Sequence, residues 1–387
     1  MKLAILADGV YPFVMGGMQR HSSNVVKYLL QRGHDVTLVH AVPAKSKSIP
    51  TEEEVVESLG IVAGARFRSI AMRFPDAGWL PGHYIKESYQ LSRMMYDRLK
   101  DEWKDFDFIY AKGFCAWHLL HVKSKGTPLP PIGVKFHGYE MFQKDADLKS
   151  KIQSWMLRGP VRWNNNRADV VFSYGGHITD IIRSIGVKRD RIEEVSGAID
   201  ASWLRKDPRK IVSTKRRFLF IGRNERRKGI EELQRAISQL LTIHDFEFHF
   251  IGPIPNSIRL KNSSVIYHGS ISETEKIISL IDQCDVLVVP SYSEGMPNVI
   301  LEGMARGLAI VASDVGAVNI EVDSTCGWLI EPGDKQQLID AMTKAIRIEE
   351  SELTKMQEAA RSKISSHFLW PDVAVKLEEA LIRRLKP

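Results

Sequence analysis

Short apolar runs, most of them rich in Val, Ile and Phe, punctuate the chain, and the stretches between them repeat their apolar positions at helical spacing. In the first half the runs Lys2–Ala7, Asp35–Val42, Phe67–Met72, Asp107–Ala111, Ile132–Phe136 and Asp169–Ser173 read as strands. Helical stretches fall between them, such as Gln19–Gln31, closed by Gly33, and Gly82–Lys104. Thr51-Glu-Glu-Glu54 has the spacing of a capping box opening a short helix. This rhythm of strand and helix argues an α/β fold, a doubly wound parallel sheet with helices on both faces. After the charged, strand-poor stretch Trp203-Leu-Arg-Lys-Asp-Pro-Arg-Lys-Ile211 the pattern restarts. Further strands are expected at Arg217–Gly222, Glu247–Gly252, Val265–His268, Asp285–Pro290 and Ala309–Ser313. A second sheet of this length implies a second domain, with Asp200–Arg216 as the linker. The final helix, Trp370–Leu385, follows another helix rather than a strand.

With 387 residues and 44% apolar content, the chain has material for two cores. No apolar run reaches the roughly 18 residues of a membrane span. The start, Met1-Lys-Leu-Ala-Ile-Leu-Ala7, meets Asp8 too early for a signal-peptide core and reads as a first strand. Cys115, Cys284 and Cys326 have no paired spacing and sit in apolar sequence, which suits buried reduced thiols. A cytoplasmic protein is expected. The net charge of +7 falls wholly within residues 1–205, which also hold six of the eight tryptophans. The stretch 149–163, Lys149 to Trp163, mixes basic and aromatic residues, a composition suited to an anionic membrane surface at the inner face or a phosphate-bearing acceptor. The plainer reading is a solvated helix with inward tryptophans. Basic residues are scattered rather than striped, so no nucleic-acid partner is expected.

The chemistry concentrates in Glu294-Gly-Met-Pro-Asn-Val-Ile-Leu-Glu302, which follows the buried strand Asp285–Pro290. Strand, glycine turn and helix place polar groups at the carboxyl edge of a parallel sheet, where such folds bind ligands. Glu294 is expected in the loop and Glu302 about one turn into the helix, each able to accept a diol. Alternatively, Glu302 is a solvated helix residue and Glu294 a charge favoured by the helix dipole. The loop Gly222-Arg-Asn-Glu-Arg-Arg-Lys-Gly229 opens a helix whose free N–H groups attract anions. Arg223 and Lys228 add full positive charge there, so the loop reads as a diphosphate clamp needing no metal; Arg226 and Arg227 are expected to be exposed. Gly16 and Gly17 precede the first helix and allow close backbone approach. Their spacing is not the dinucleotide fingerprint. His137-Gly138 again follows a strand. The Asp-x-Asp matches Asp105–Asp107 and Asp145–Asp147 are short enough to arise by chance.

The Glu294–Glu302 segment resembles the Glu-x7-Glu signature of family 4 retaining glycosyltransferases. Gly16-Gly-Met-Gln-Arg-His21, His137-Gly138 and Gly222–Gly229 match further family motifs in order, so the resemblance spans nearly the whole chain. It implies the GT-B fold, two Rossmann-like domains facing a central cleft. Residues 1–205 with a returning helix, 368–387, would bind acceptor, and residues 206–367 the nucleotide sugar. It further implies His137, Arg223, Lys228 and Glu294 as catalytic, and Gly16, Gly17, Gly222, Gly295, Met296, Pro297, Asn298, Val299 and Glu302 as donor-binding. Transfer would retain anomeric configuration, with no cofactor and no metal. The donor would be a UDP-sugar in preference to a GDP-sugar, and the acceptor a glycan, a lipid-linked or a small molecule. Two features depart from the family pattern. Pro297 removes one backbone N–H, leaving Met296, Asn298 and Val299 to contact donor oxygens, and Ser196-Gly-Ala-Ile-Asp200 has alanine where glycine is common. Other readings are an epimerase or phosphorylase of the same fold, and a non-catalytic nucleotide-sugar binder.

Overall fold

The computed structural model describes all residues except 62–65, 77, 79–81, 208–214 and 386–387. It divides into two compact units. One comprises Met1–His137, Trp155–Gly197 and the chain from Trp370 onward; the other comprises Gly138–Ser154 and Ala198–Leu369. The change of unit near Gly197 comes earlier than the boundary expected at residue 205, and 138–154 make an excursion into the second unit that no sequence signal marked. Hydrogen bonds hold that excursion: Lys144 Nζ donates to the Pro332 carbonyl at 2.6 Å, and Gln143 to Glu294 O, also at 2.6 Å. Part of the expected linker Asp200–Arg216 lies outside the described residues.

The first unit is built on β1 (Lys2–Ala7), β2 (Asp35–Val42), β3 (Phe67–Arg73), β4 (Phe108–Lys112), β5 (Ile132–Lys135), β6 (Val170–Ser173) and β7 (Ile192–Glu194). Their order is β3-β2-β1-β4-β5-β6-β7, with every pairing parallel. Because helices cover both faces, β1, β4 and β5 read as near-continuous apolar runs. Strand order reverses between β1 and β4, which makes their carboxyl ends a switch point. β7 was not expected: it has three residues, two of them glutamate, and offers no periodicity to read. The helix expected over Gly82–Lys104 stops at Arg98. Trp103 causes the stop: it packs back, 2% exposed, and its indole N–H donates to the Tyr96 carbonyl at 3.0 Å. The capping box forms, with Thr51 N–H on Glu54 at 2.8 Å and Glu54 N–H on Thr51 at 3.3 Å. The last helix, Trp370–Arg383, belongs to this unit. Trp370 stacks on Tyr28 at 5.5 Å, and Glu378 bridges Arg32 and His34.

The second unit holds β8 (Arg216–Ile221), β9 (Phe246–Ile251), β10 (Val265–Tyr267), β11 (Val286–Val289), β12 (Ala309–Ser313) and β13 (Gly327–Ile330). Their order is β10-β9-β8-β11-β12-β13, again all parallel, with the switch between β8 and β11. Phe218, Phe246, Phe248 and Phe250 fill one face beneath the helices Ile230–Leu240 and Lys335–Arg347. β13 is the second unexpected strand. Gly327-Trp-Leu-Ile330 is apolar but only four residues long, and two of the four are half-buried.

Candidate active site

The second unit's site forms where β8 and β11 end. After β8, Gly222 leads into a tight turn over Arg226–Lys228, and Gly229 caps the helix Ile230–Leu240 with φ +69°. A Cβ on Gly229 would lie 2.1 Å from the Pro290 carbonyl oxygen, so only glycine lets this backbone cross the end of β11. Tyr292 N–H then donates to the Arg227 carbonyl at 2.7 Å, fastening the two loops together. A second glycine fixes the other flank. Gly316, at φ +59°, packs its Cα against the Glu294 carbonyl, where a Cβ would come within 2.2 Å.

These constraints bring Lys228 Nζ to 2.5 Å from Glu294 Oε1, which also accepts from Ser291 Oγ at 2.8 Å. Arg227 lies 3.6 Å from the other carboxylate oxygen and 2.9 Å from Glu225, which in turn pairs with Arg223 at 2.9 Å. Arg223, Lys228 and Glu294 thus belong to one chain of charges. Within it Arg223 is 74% exposed at the side chain, and Glu294 only 8%. Burial would raise the Glu294 carboxyl, yet the Lys228 ammonium and the Arg227 guanidinium hold it below the ordinary carboxylate value. Gln143 grips the same residue by its backbone, accepting from Glu294 N–H at 3.3 Å and donating to its carbonyl.

The expectation that Arg226 and Arg227 are exposed is corrected. Arg226 makes two bonds, 2.8 and 2.7 Å, to the buried carboxylate of Glu232 and covers the Tyr292 ring at 5.0 Å. A helix start tolerates these cations because Glu225, Glu232 and Glu294 supply the anions. Gly295, Met296 and Pro297 form the turn into the helix Asn298–Ala305, with Met296 and Pro297 buried. Its first internal bond runs from Ile300 N–H to Pro297 O at 2.9 Å, so the Asn298 and Val299 N–H groups precede the helical ladder. Glu302 sits one turn in, half-buried. Glu321 is 0% exposed with both oxygens unpartnered among the described residues. Burial, reinforced by Glu294, pushes its carboxyl well above the ordinary range.

In the first unit, Gly16 and Gly17 stand at the start of the helix Gly17–Gln31, after β1. His137 lies just beyond β5, its Nδ1 2.6 Å from Tyr174 Oη. Two lysines that sequence reasoning passed over flank it. Lys112 and Lys135 end β4 and β5 in register with one another and are 1% and 0% exposed. Lys112 Nζ lies 2.8 Å from His21 Nδ1, and the His21 ring meets the His137 ring edge-on at 5.5 Å. Burial, then the neighbouring lysines, keep both imidazoles well below their ordinary pKa, hence neutral. A charged residue inside an apolar parallel strand was the available signal for these lysines.

Known proteins match this chain along its length. The model for glycosyltransferase family 4 matches residues 15–203, and that for glycosyl transferases group 1 matches 215–347. Glycogen synthase of Mycobacterium tuberculosis is 23% identical over 97% of this chain and 92% of its own. The sucrose-phosphate synthase of Thermosynechococcus elongatus superposes with a TM-score of 0.77 at 16% identity, covering 99% of each chain. The Anabaena protein HepE, solved with UDP and glucose, does so with a TM-score of 0.67 at 16% identity, again over 99% of each chain. Paired parallel sheets of this order, with charged loops after β8 and β11, carry the GT-B fold, and the chain belongs to glycosyltransferase family 4, the retaining hexosyltransferases that take a sugar from a nucleotide donor.

Proposed function

We propose that the chain transfers a hexose or N-acetylhexosamine from a UDP-sugar, in preference to a GDP-sugar, to a glycan, lipid-linked or small-molecule acceptor without a metal ion. The observation that carries this reading is the fixed set of cations beside Glu294 at the start of the helix Ile230–Leu240. Breaking the bond from the anomeric carbon to the diphosphate leaves the electron pair on a phosphate oxygen. Arg223, Lys228 and the helix N–H groups stabilise that charge more in the transition state than in the ground state. The Lys228 ammonium has three hydrogens, and its bond to Glu294 uses one. Glu294 holds sugar hydroxyls and Glu302 the ribose diol. The acceptor oxygen bonds to the anomeric carbon on the face the phosphate leaves, and its proton passes to the departing phosphate oxygen. His137 contacts the donor sugar.

Preference for uridine is supported by the fold shared with the Anabaena protein solved with UDP and glucose. The test is a thermal-shift screen of UDP- and GDP-sugars with chelator present. Stabilisation by UDP-sugars, lost in Arg223→Ala/Lys228→Ala, is the expected outcome; stabilisation that requires divalent metal would overturn the reading. Release of nucleotide only when acceptor is added separates transfer from mere binding. Turnover with inorganic phosphate and no nucleotide would identify a phosphorylase instead.

A membrane-side acceptor is supported by the helix Leu148–Arg167. Leu148, Ile152 and Trp155, spaced four and three apart, are 73%, 58% and 74% exposed among Lys149, Lys151, Arg158 and Arg162. No described helix is long and apolar enough to cross a membrane. We infer peripheral contact with anionic lipid at the inner face. Flotation with anionic liposomes, reduced in Trp155→Ser and absent with neutral ones, is the expected result.

A further inference from the structure

His137 is held by groups that the transfer chemistry does not use. Tyr174, 5% exposed, places its hydroxyl 2.6 Å from His137 Nδ1. Behind the phenol ring lies Lys135, its Nζ 3.9 Å from the ring centroid and donating to the Val195 carbonyl at 2.8 Å. The opposite ring nitrogen, Nε2, is buried and meets no hydrogen-bonding partner among the described residues.

A neutral imidazole has one donor nitrogen and one acceptor, so the Tyr174 contact decides which is which. Lys135 biases that choice. Its Nζ donates to the Val195 oxygen and stands over the π face. Positive density against the ring draws electrons from the phenol oxygen and makes its hydrogen the better donor. Burial, then Lys112 and Lys135, disfavour a second proton on the imidazole.

We propose that Tyr174, backed by Lys135, is a positioning residue that holds His137 in the tautomer with Nδ1 bare and the proton on Nε2. The buried Nε2–H is then a fixed donor for an oxygen of the bound nucleotide sugar, a role that rests on the reading of His137 given above. Tyr174 and Lys135 touch no substrate; they act through the imidazole.

The test uses the full chain labelled with 15N-histidine, with the His137 signals identified by their loss in His137→Gln. Long-range proton–nitrogen correlation is expected to show protonated Nε2 and bare Nδ1. Tyr174→Phe should convert these to the averaged shifts of two tautomers. The same variant should lower kcat about tenfold with KM for the donor changed less than twofold. Lys135→Met, which keeps the hydroxyl, provides an independent variant should Tyr174→Phe fold poorly, and it should shift the tautomer in the same direction. A native protein with its proton on Nδ1, or a tautomer indifferent to both substitutions, overturns the proposal. So does a tautomer change without loss of kcat, which would leave sugar transfer itself untouched. Absence of any transfer by the native chain would instead refute the proposed function, because the nitrogen shifts are read without turnover.

Discussion

At the carboxyl edge of the first sheet, Lys112 and Lys135 lie side by side at the ends of β4 and β5, buried and without an ion pair among the described residues. At the matching edge of the second sheet, Lys228 and Arg227 converge on the buried Glu294. Both edges sit at a switch point of a doubly wound parallel sheet, so topology alone does not set their charge. The first edge keeps its cations quiet by lowering their affinity for protons: burial pushes Lys112 down to about 7, and Lys135 lies well below its ordinary value. The second keeps charges ionised by pairing them. Neutral groups that give and take single protons suit orientation of a substrate. Fixed charges suit a reaction that liberates a diphosphate.

Removing the shared anion of the second edge should have the largest effect. Glu294→Ala takes away the carboxylate that receives Lys228, Arg227 and Ser291. Transfer should fall about a thousandfold, read as nucleotide release in a single turnover. A fall below tenfold would mean the paired edge is structural. Lys228→Met comes next. It leaves the buried Glu294 with Ser291 and, at 3.6 Å, Arg227, and should lower transfer about a hundredfold and stability by about 2–3 kcal/mol. Glu294 has a lowered folded-state value, so its pair adds stability above the ordinary 4.5 and loses it as pH falls through the folded value. The Lys228→Met penalty should therefore shrink in urea melts below about pH 4.

Lys112→Met should do the opposite to stability, which makes it the sharper test of the comparison. The folded chain holds Lys112 at about 7 against 10.5 when unfolded. Between these values the unfolded chain gains a proton that the folded chain refuses. Native stability from this group is therefore complete above the unfolded value and declines as pH drops towards about 7. Methionine removes that slope, and at pH near 7 the variant should be more stable by about 2–4 kcal/mol. Urea unfolding at neutral and alkaline pH checks it; a variant less stable at both would show that the His21 contact outweighs burial.

Much of the backbone could be read from the chain, because parallel strands covered on both faces must be apolar. β1, β2 and β12 keep their expected bounds, and Glu302 lies one turn into its helix. β7 and β13 escaped because edge strands of three and four residues are too short to show a period, and β7 carries two glutamates besides. Charge partners were harder to read. The run Arg226-Arg227-Lys228 looks uniform along the chain, yet each cation meets a carboxylate from a different distance in sequence: Glu232, Glu225 or Glu294. Gln143 shows the limit of local reading, since it grips the Glu294 backbone from 151 residues away. Tyr174 likewise reaches His137 only through the register of β5 and β6, which no single segment encodes.

The smallest expected effect comes from a group at the second edge that behaves like those of the first. Glu321 is fully buried with both carboxyl oxygens unpartnered among the described residues, and burial together with Glu294 raises its affinity for a proton. The folded chain keeps this proton after the unfolded chain has released it above about 4.5, so folding becomes less favourable as pH rises from there. Glu321→Met fills the space without a polar group. It should raise the melting temperature by about 2–4 °C at neutral pH, with a smaller gain near pH 4.5. Transfer should stay within about twofold, because a neutral acid contributes no charge to the paired network. A gain of equal size at both pH values would place an ionised Glu321 beside Glu294. The second edge would then tolerate adjacent like charges, and its contrast with the first would rest on cation number rather than on how each edge handles protons.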